Sequence, residues 1–176
     1  LRPADGEETV AAWKLAMEEK RPVALILSRQ NIKDLPPLHT SRKAEAGQVT
    51  KGAYIVMDAA KPHVVMLASG SEVSTLVEGA ELLQKEGINP RIVSVPSEGL
   101  FRDQPKSYQD AVLPAGIVRY GMTSGLPVNL LGLVGEHGKI HGLDHFGYSA
   151  PYKVLDEKFG YNGQTVYEEV KKLLGK

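Results

Sequence analysis

The chain contains no cysteine, which excludes disulfides, thiolate metal sites and a cysteine nucleophile. It carries no excess of either charge: 21 Lys and Arg balance 21 Asp and Glu. That balance leaves no basic footprint for nucleic acid and no polybasic face for a membrane surface. Long apolar runs are also missing. The longest are about five or six residues, against the roughly 20 that a membrane-spanning helix needs. An initiator methionine is absent, and Leu1 to Gly6 reads as the interior of a domain, so the sequence is expected to be a piece of a larger polypeptide with the missing part upstream. What is present is a hydrophobic content of 42% over 176 residues, enough for one full globular domain and part of a second.

Helix and strand signals divide this length. Asp5 and Glu8 form a capping-box pattern, and Val10, Trp13 and Met17 follow at helical spacing, which predicts a helix from about Glu7 to Lys20 with Trp13 on its core face. Val23 to Leu27 is a short apolar run of the kind a buried strand uses. Residues 34–51 contain Pro36-Pro37, clustered charges and Gly47, a linker composition. Beyond it, Tyr54–Met57 and Val64–Ala68 read as strands whose short connection favours an antiparallel hairpin. Ser71 opens a helix with the stripe Val73, Leu76, Val77, Ala80 and Leu83, closed by Gly87. Strands are expected at Arg91–Val95, Gly116–Tyr120 and Lys139–Leu143, with a helical stretch at Tyr108–Leu113. Two terminal helices follow, one capped by Ser149 with Pro151 in its first turn, the other opened by Thr165 and Glu168.

Strands alternating with helices imply an α/β fold. The expected form is a three-layer sandwich with a five-stranded mixed sheet, four strands parallel and one antiparallel, flanked by helices.

Few segments carry chemistry. Arg29, in Leu27-Ser28-Arg29-Gln30-Asn31, follows the apolar run. Ligands of open α/β sheets sit beyond strand carboxyl ends, and a guanidinium fork matches two phosphate oxygens. From the pattern alone, a surface arginine paired with Asp34 is the plainer reading. Ser69-Gly70-Ser71 links a strand to a helix, where free N–H groups suit a small anion; Ser71 as an ordinary N-cap is the plainer reading. His137, His141 and His145 recur every four residues, but Gly138 and Gly142 disfavour a helix, and on a strand that spacing is about 13 Å, too far for one metal ion. The aspartate of Ala4-Asp5-Gly6 reads as a helix cap.

Taken together, Arg2-Pro3-Ala4-Asp5, Pro22 to Asn31, Ala68 to Val73, Val93 to Ser97 and Phe146 to Pro151 resemble transketolase in this order and spacing. The resemblance covers essentially the whole chain. It implies residues 1–33 as the end of the pyrimidine-binding domain, 34–51 as a linker and 52–176 as the C-terminal domain. It further implies a cytoplasmic, homodimeric glycolaldehyde transferase that moves a two-carbon ketol unit between sugar phosphates in the pentose phosphate pathway. Thiamine diphosphate and Mg²⁺ or Ca²⁺ would be held by the parent enzyme, with no cofactor bound by this chain alone. In that family the arginine matching Arg29 binds the substrate phosphate; the Gly-Asp-Gly metal motif, the activating glutamate and the catalytic histidines lie upstream, so the isolated chain is expected to be inactive. Transketolases usually carry an acidic residue and an aromatic-rich helix where Gly121 to Pro127 stands here. The alternatives are a free-standing module for dimerisation or small-anion binding, or part of a related thiamine-diphosphate enzyme.

Overall fold

The computed structural model describes residues 1–176. Its centre is a five-stranded sheet built from β1 (Tyr54–Met57), β2 (Val64–Ala68), β3 (Pro90–Ser94), β4 (Arg119–Met122) and β5 (Lys139–His141), in the order β1-β3-β2-β4-β5. β3, β2, β4 and β5 run parallel, and β1 pairs antiparallel with β3 at the edge. The expected sheet composition is therefore present, but the expected hairpin is not. β3 lies between β1 and β2, and Arg91 of β3 grips Asp58, in the turn after β1, with bonds of 2.7 and 3.1 Å.

Period-two alternation along β2 sorts its side chains to opposite layers. Val64, Met66 and Ala68 face α3 (Glu72–Lys85) and α8 (Gly163–Leu173), together with Leu76, Leu83, Val166 and Val170. Val65 and Leu67 face the opposite layer, where α4 (Glu98–Arg102), α5 (Lys106–Val112) and α6 (Val128–Val134) supply Phe101, Val112, Leu130 and Val134. This is the three-layer α/β sandwich. α3 and α8 pack so closely that a Cβ at Gly79 would lie 2.5 Å from Val166 Cγ1.

Several local expectations need correction. In α1 (Gly6–Glu18) the stripe Val10, Trp13 and Met17 faces solvent, while Glu8, Ala12 and Leu15 are buried. Burial of Glu8 is what rotates the helix, because its carboxylate has partners inside. Val23–Leu27 runs extended without joining the sheet; its backbone bonds go to Leu1 instead, from Ile26 N–H at 2.9 Å and from the Leu1 amino group to Ala24 at 2.6 Å. Residues 34–51 are ordered as α2 (Arg42–Ala46) and a 3-10 turn, Gly47–Lys51. The strand expected at Gly116–Tyr120 starts three residues later, and Gly121 lies within it because Val134 Cγ2 would stand 2.7 Å from any Cβ. Ser71 makes no side-chain cap to α3, and Pro151, not Ser149, precedes α7 (Tyr152–Phe159). Asn162 caps α8 by accepting from Thr165 N–H at 2.9 Å.

Candidate functional site

A buried polar knot joins the N-terminal segment to the rest of the chain. Asp5 caps α1 as expected, accepting from Glu8 N–H at 2.8 Å. Its other oxygen accepts from Leu35 N–H at 3.1 Å and from Arg42 Nε at 2.5 Å. Glu8 accepts from Arg42 Nη2 at 2.9 Å, from Tyr54 Oη at 2.6 Å and from Ala4 N–H at 2.8 Å. Both carboxylates are wholly buried. Burial first, and then the Glu8 carboxylate, push the Tyr54 phenol well above its usual range. α1, α2 and β1 are thus fixed to each other by charge-assisted bonds, which water cannot screen.

Residues 22–33 are held through Leu1, which bonds Ala24 and Ile26, and Ile26 to Gln30 line a cleft with Ser71 and Ser124, which follow β2 and β4. Arg29 is exposed and enters none of the chain's ion pairs. Asp34 faces Gly6 N–H at 3.4 Å, so the expected Arg29–Asp34 pairing does not form. Arg29 and Gln30 instead wall a cleft with Ser71, Glu72, Ser124, Asp156 and Tyr161. The sequence-predicted residues Arg29 and Ser71 therefore line one cavity, although they lie far apart in the sequence and no pattern linked them. Burial, followed by the Glu72 charge, pushes the Tyr161 phenol up to about 12, and Tyr161 donates to Thr123 O at 2.8 Å. Asp156 is likewise raised by burial and then by Glu72 and Glu78. The cleft thus brings the exposed Arg29 guanidinium together with one buried carboxylate, Glu72, and one half-buried carboxylate, Asp156.

Sequence reasoning missed Arg2. It forms an ion pair with Glu72, bonds the Ser69 carbonyl, and reaches Ser69 Oγ at 3.2 Å and Ser124 Oγ at 3.1 Å. The Ser69-Gly70-Ser71 turn, read as a possible anion cradle, closes on this cation. Only the Arg-Pro-Ala-Asp string marked the position, and nothing in its pattern named a partner. His141 is similarly absorbed: its Nε2 lies 2.8 Å from Phe159 O and its Nδ1 3.3 Å from Glu169, which also accepts from Tyr120 Oη at 2.8 Å. The Asp5 carboxylate, the acidic member of Ala4-Asp5-Gly6, is consumed by Glu8, Leu35 and Arg42.

The sheet order, the single antiparallel edge strand and the helices on both faces define a three-layer α/β architecture with a polar cleft beside Ser71 and Ser124. Residues 52–162 match the model of the transketolase-like C-terminal domain. Transketolases from Halalkalibacterium halodurans and Geobacillus stearothermophilus are 43% and 41% identical over 99% and 100% of the chain. Among solved structures, a transketolase from Leishmania mexicana superposes with a TM-score of 0.88 at 36% identity over 99% of this chain and 25% of its own. A Pichia stipitis transketolase described as a complex with sedoheptulose-7-phosphate gives 0.87 at 32% over the same shares. The chain belongs to the transketolase family. It spans 26% of the length of the two curated relatives.

Proposed function

We propose that the chain is the C-terminal part of a thiamine-diphosphate enzyme that transfers a two-carbon ketol unit between sugar phosphates, and that its own contribution is Arg29, which binds the substrate phosphate. The observation that carries this is an exposed guanidinium without a carboxylate partner at the mouth of a cleft. An arginine fork held this way is free for two phosphate oxygens, and Gln30 beside it adds a polar contact. The match of the Leu-Ser-Arg-Gln string to the family supports the same role.

Residues 1–33 are read as the end of the pyrimidine-binding domain, 34–51 as the connection and 52–176 as the C-terminal domain. The buried Asp5–Glu8–Arg42–Tyr54 knot then acts as a weld across that boundary. The donors of this chain do not fit thiamine diphosphate or its metal. Asp5 is spent on Arg42 and two backbone N–H groups, and Glu72 is spent on Arg2. Cofactor and Mg²⁺ or Ca²⁺ are therefore assigned to the upstream part of the enzyme, working as a homodimer in the cytoplasm, and this chain alone is inactive. No helix is long and apolar enough to cross a membrane. The Ser69-Gly70-Ser71 turn is assigned to Arg2 rather than to substrate.

The test is Arg29→Gln in the full-length enzyme. Loss of a charge-assisted bidentate contact of about 1.5–3 kcal/mol lowers kcat/KM for a phosphorylated sugar roughly 10- to 150-fold, chiefly through KM. The unphosphorylated counterpart is little affected. Equal losses on both would make Arg29 structural and remove the proposed role.

A further inference from the structure

The sheet order reverses between β2 and β4, the two strands that β3 and β5 flank. In open α/β sheets the crevice outside the carboxyl ends of such a strand pair is where a ligand sits. Here its walls are the Ser69–Ser71 turn after β2 and the Thr123–Pro127 loop after β4, and it is filled by Arg2. The guanidinium meets acceptors only: the Ser69 carbonyl and hydroxyl and the Glu72 carboxylate on one side, and the Ser124 hydroxyl on the other.

The surroundings are shaped to this group. Gly70 has φ +65°, and a Cβ there would stand 2.7 Å from the Arg2 Cζ, so both conformation and space demand glycine. The Glu72 side chain is 6% exposed and needs a cation in contact, because an unpaired buried carboxylate is costly. The Arg2 backbone is held as well, donating to Pro96 O at 2.9 Å and accepting from Gly70 N–H at 3.1 Å. A planar cation bonded by carbonyl, carboxylate and hydroxyl acceptors from two loops is bound as a ligand would be. An ammonium ion would reach fewer of these acceptors at once.

We propose that the crevice between β2 and β4 is a guanidinium-binding site occupied in cis by Arg2, and that it accepts a free alkylguanidine once the Arg2 side chain is removed. Tethering gives Arg2 an effective concentration in the millimolar range or above, so the intact chain excludes a weak free competitor. The inference concerns this crevice alone and stands independently of the proposed ketol transfer.

The experiment is a titration of the 176-residue Arg2→Ala chain with methylguanidinium chloride, followed by amide NMR shifts and thermal melting. Methylammonium chloride at equal ionic strength is the control. The expected result is saturable binding with Kd on the order of 1 mM, shifts centred on Ser69–Glu72 and Ser124, and a Tm rise of about 3–6 °C at ten times Kd. The unmodified chain shows none of this, and Arg2→Ala/Glu72→Gln binds at least tenfold more weakly. Absence of saturable binding, equal binding of methylammonium, or equal binding to the unmodified chain would each overturn the proposal. Should Arg2→Ala not fold, the side-chain ¹⁵N spectrum of the unmodified chain decides. Slow rotation that resolves the Arg2 Nη groups supports the site, and a fully averaged signal refutes it.

Discussion

Replacing Arg42 with methionine tests the energetic centre of the molecule. The substitution keeps an apolar stem of similar reach but deletes the fork that neutralises Asp5 and Glu8. Both carboxylates are 0% exposed and Arg42 is 8% exposed, so little water is available to replace it. After the change Asp5 keeps two backbone N–H donors, and Glu8 keeps Tyr54 and one N–H. Neither retains a counter-charge. Breaking a buried ion pair from one side costs about 3–5 kcal/mol, a large share of the 5–15 kcal/mol typical of a folded protein. For a chain of this size that corresponds to a Tm drop of roughly 6–20 °C. Calorimetry and urea unfolding would measure it. The cost comes from uncompensated charge, so in an Asp5→Asn/Glu8→Gln background Arg42→Met should cost less than about 1.5 kcal/mol. A loss below about 1 kcal/mol in the unmodified chain, or equal losses in both backgrounds, would refute the reasoning.

Gly79→Ala should destabilise the chain by about 1–3 kcal/mol despite alanine's better helix propensity, because its Cβ would meet Val166 at 2.5 Å. Urea midpoints check this, and the smaller partner in Gly79→Ala/Val166→Ala should recover part of the packing loss. Glu169 gives a pH signature. Burial raises its carboxyl, but hydrogen bonds from His141 and Tyr120, with the charges of His141 and Lys139, bring it down to about 2. A folded-state value below the unfolded one stabilises the protein above the ordinary carboxylate range, and the gain is lost as pH falls through that range toward about 2. The stability difference between the unmodified chain and Glu169→Gln should therefore shrink over that interval, measured by denaturant unfolding at stepped pH.

Legibility in the sequence followed the physics of each element. The stripe Val73, Leu76, Val77, Ala80 and Leu83 is buried where its period placed it, because α3 packs one face on a sheet. Four of the five β runs also emerged from apolar patterning, whereas β4 starts three residues later than expected and the apolar run Val23–Leu27 joins no sheet. Pairing did not emerge. Which strand neighbours which is set by β3 entering between β1 and β2, a long-range event with no local signal. α1 failed for a chemical reason. Periodicity counts apolar residues, and here a buried glutamate, compensated by Arg42 and Tyr54 from more than 30 residues away, outweighs a tryptophan. Arg29 stood out by its charge and its place after an apolar run, its proposed phosphate role came through likeness to a family, and its sharing of a cleft with Ser71 emerged only from the fold. Arg2 was invisible, since its acceptors lie 67 to 122 residues downstream.

The central claim is that this chain serves as the C-terminal part of a transketolase. A chimera tests it most directly, with residues 1–176 substituted for the matching quarter of the Geobacillus stearothermophilus transketolase, which is 41% identical over 180 residues. Ketol transfer to a phosphorylated acceptor would be followed with thiamine diphosphate and Mg²⁺ supplied. The account predicts an active chimera whose activity falls on Arg29→Gln, beside no activity from the 176-residue chain alone. A folded, dimeric chimera without ketol transfer, or one indifferent to Arg29, would contradict it.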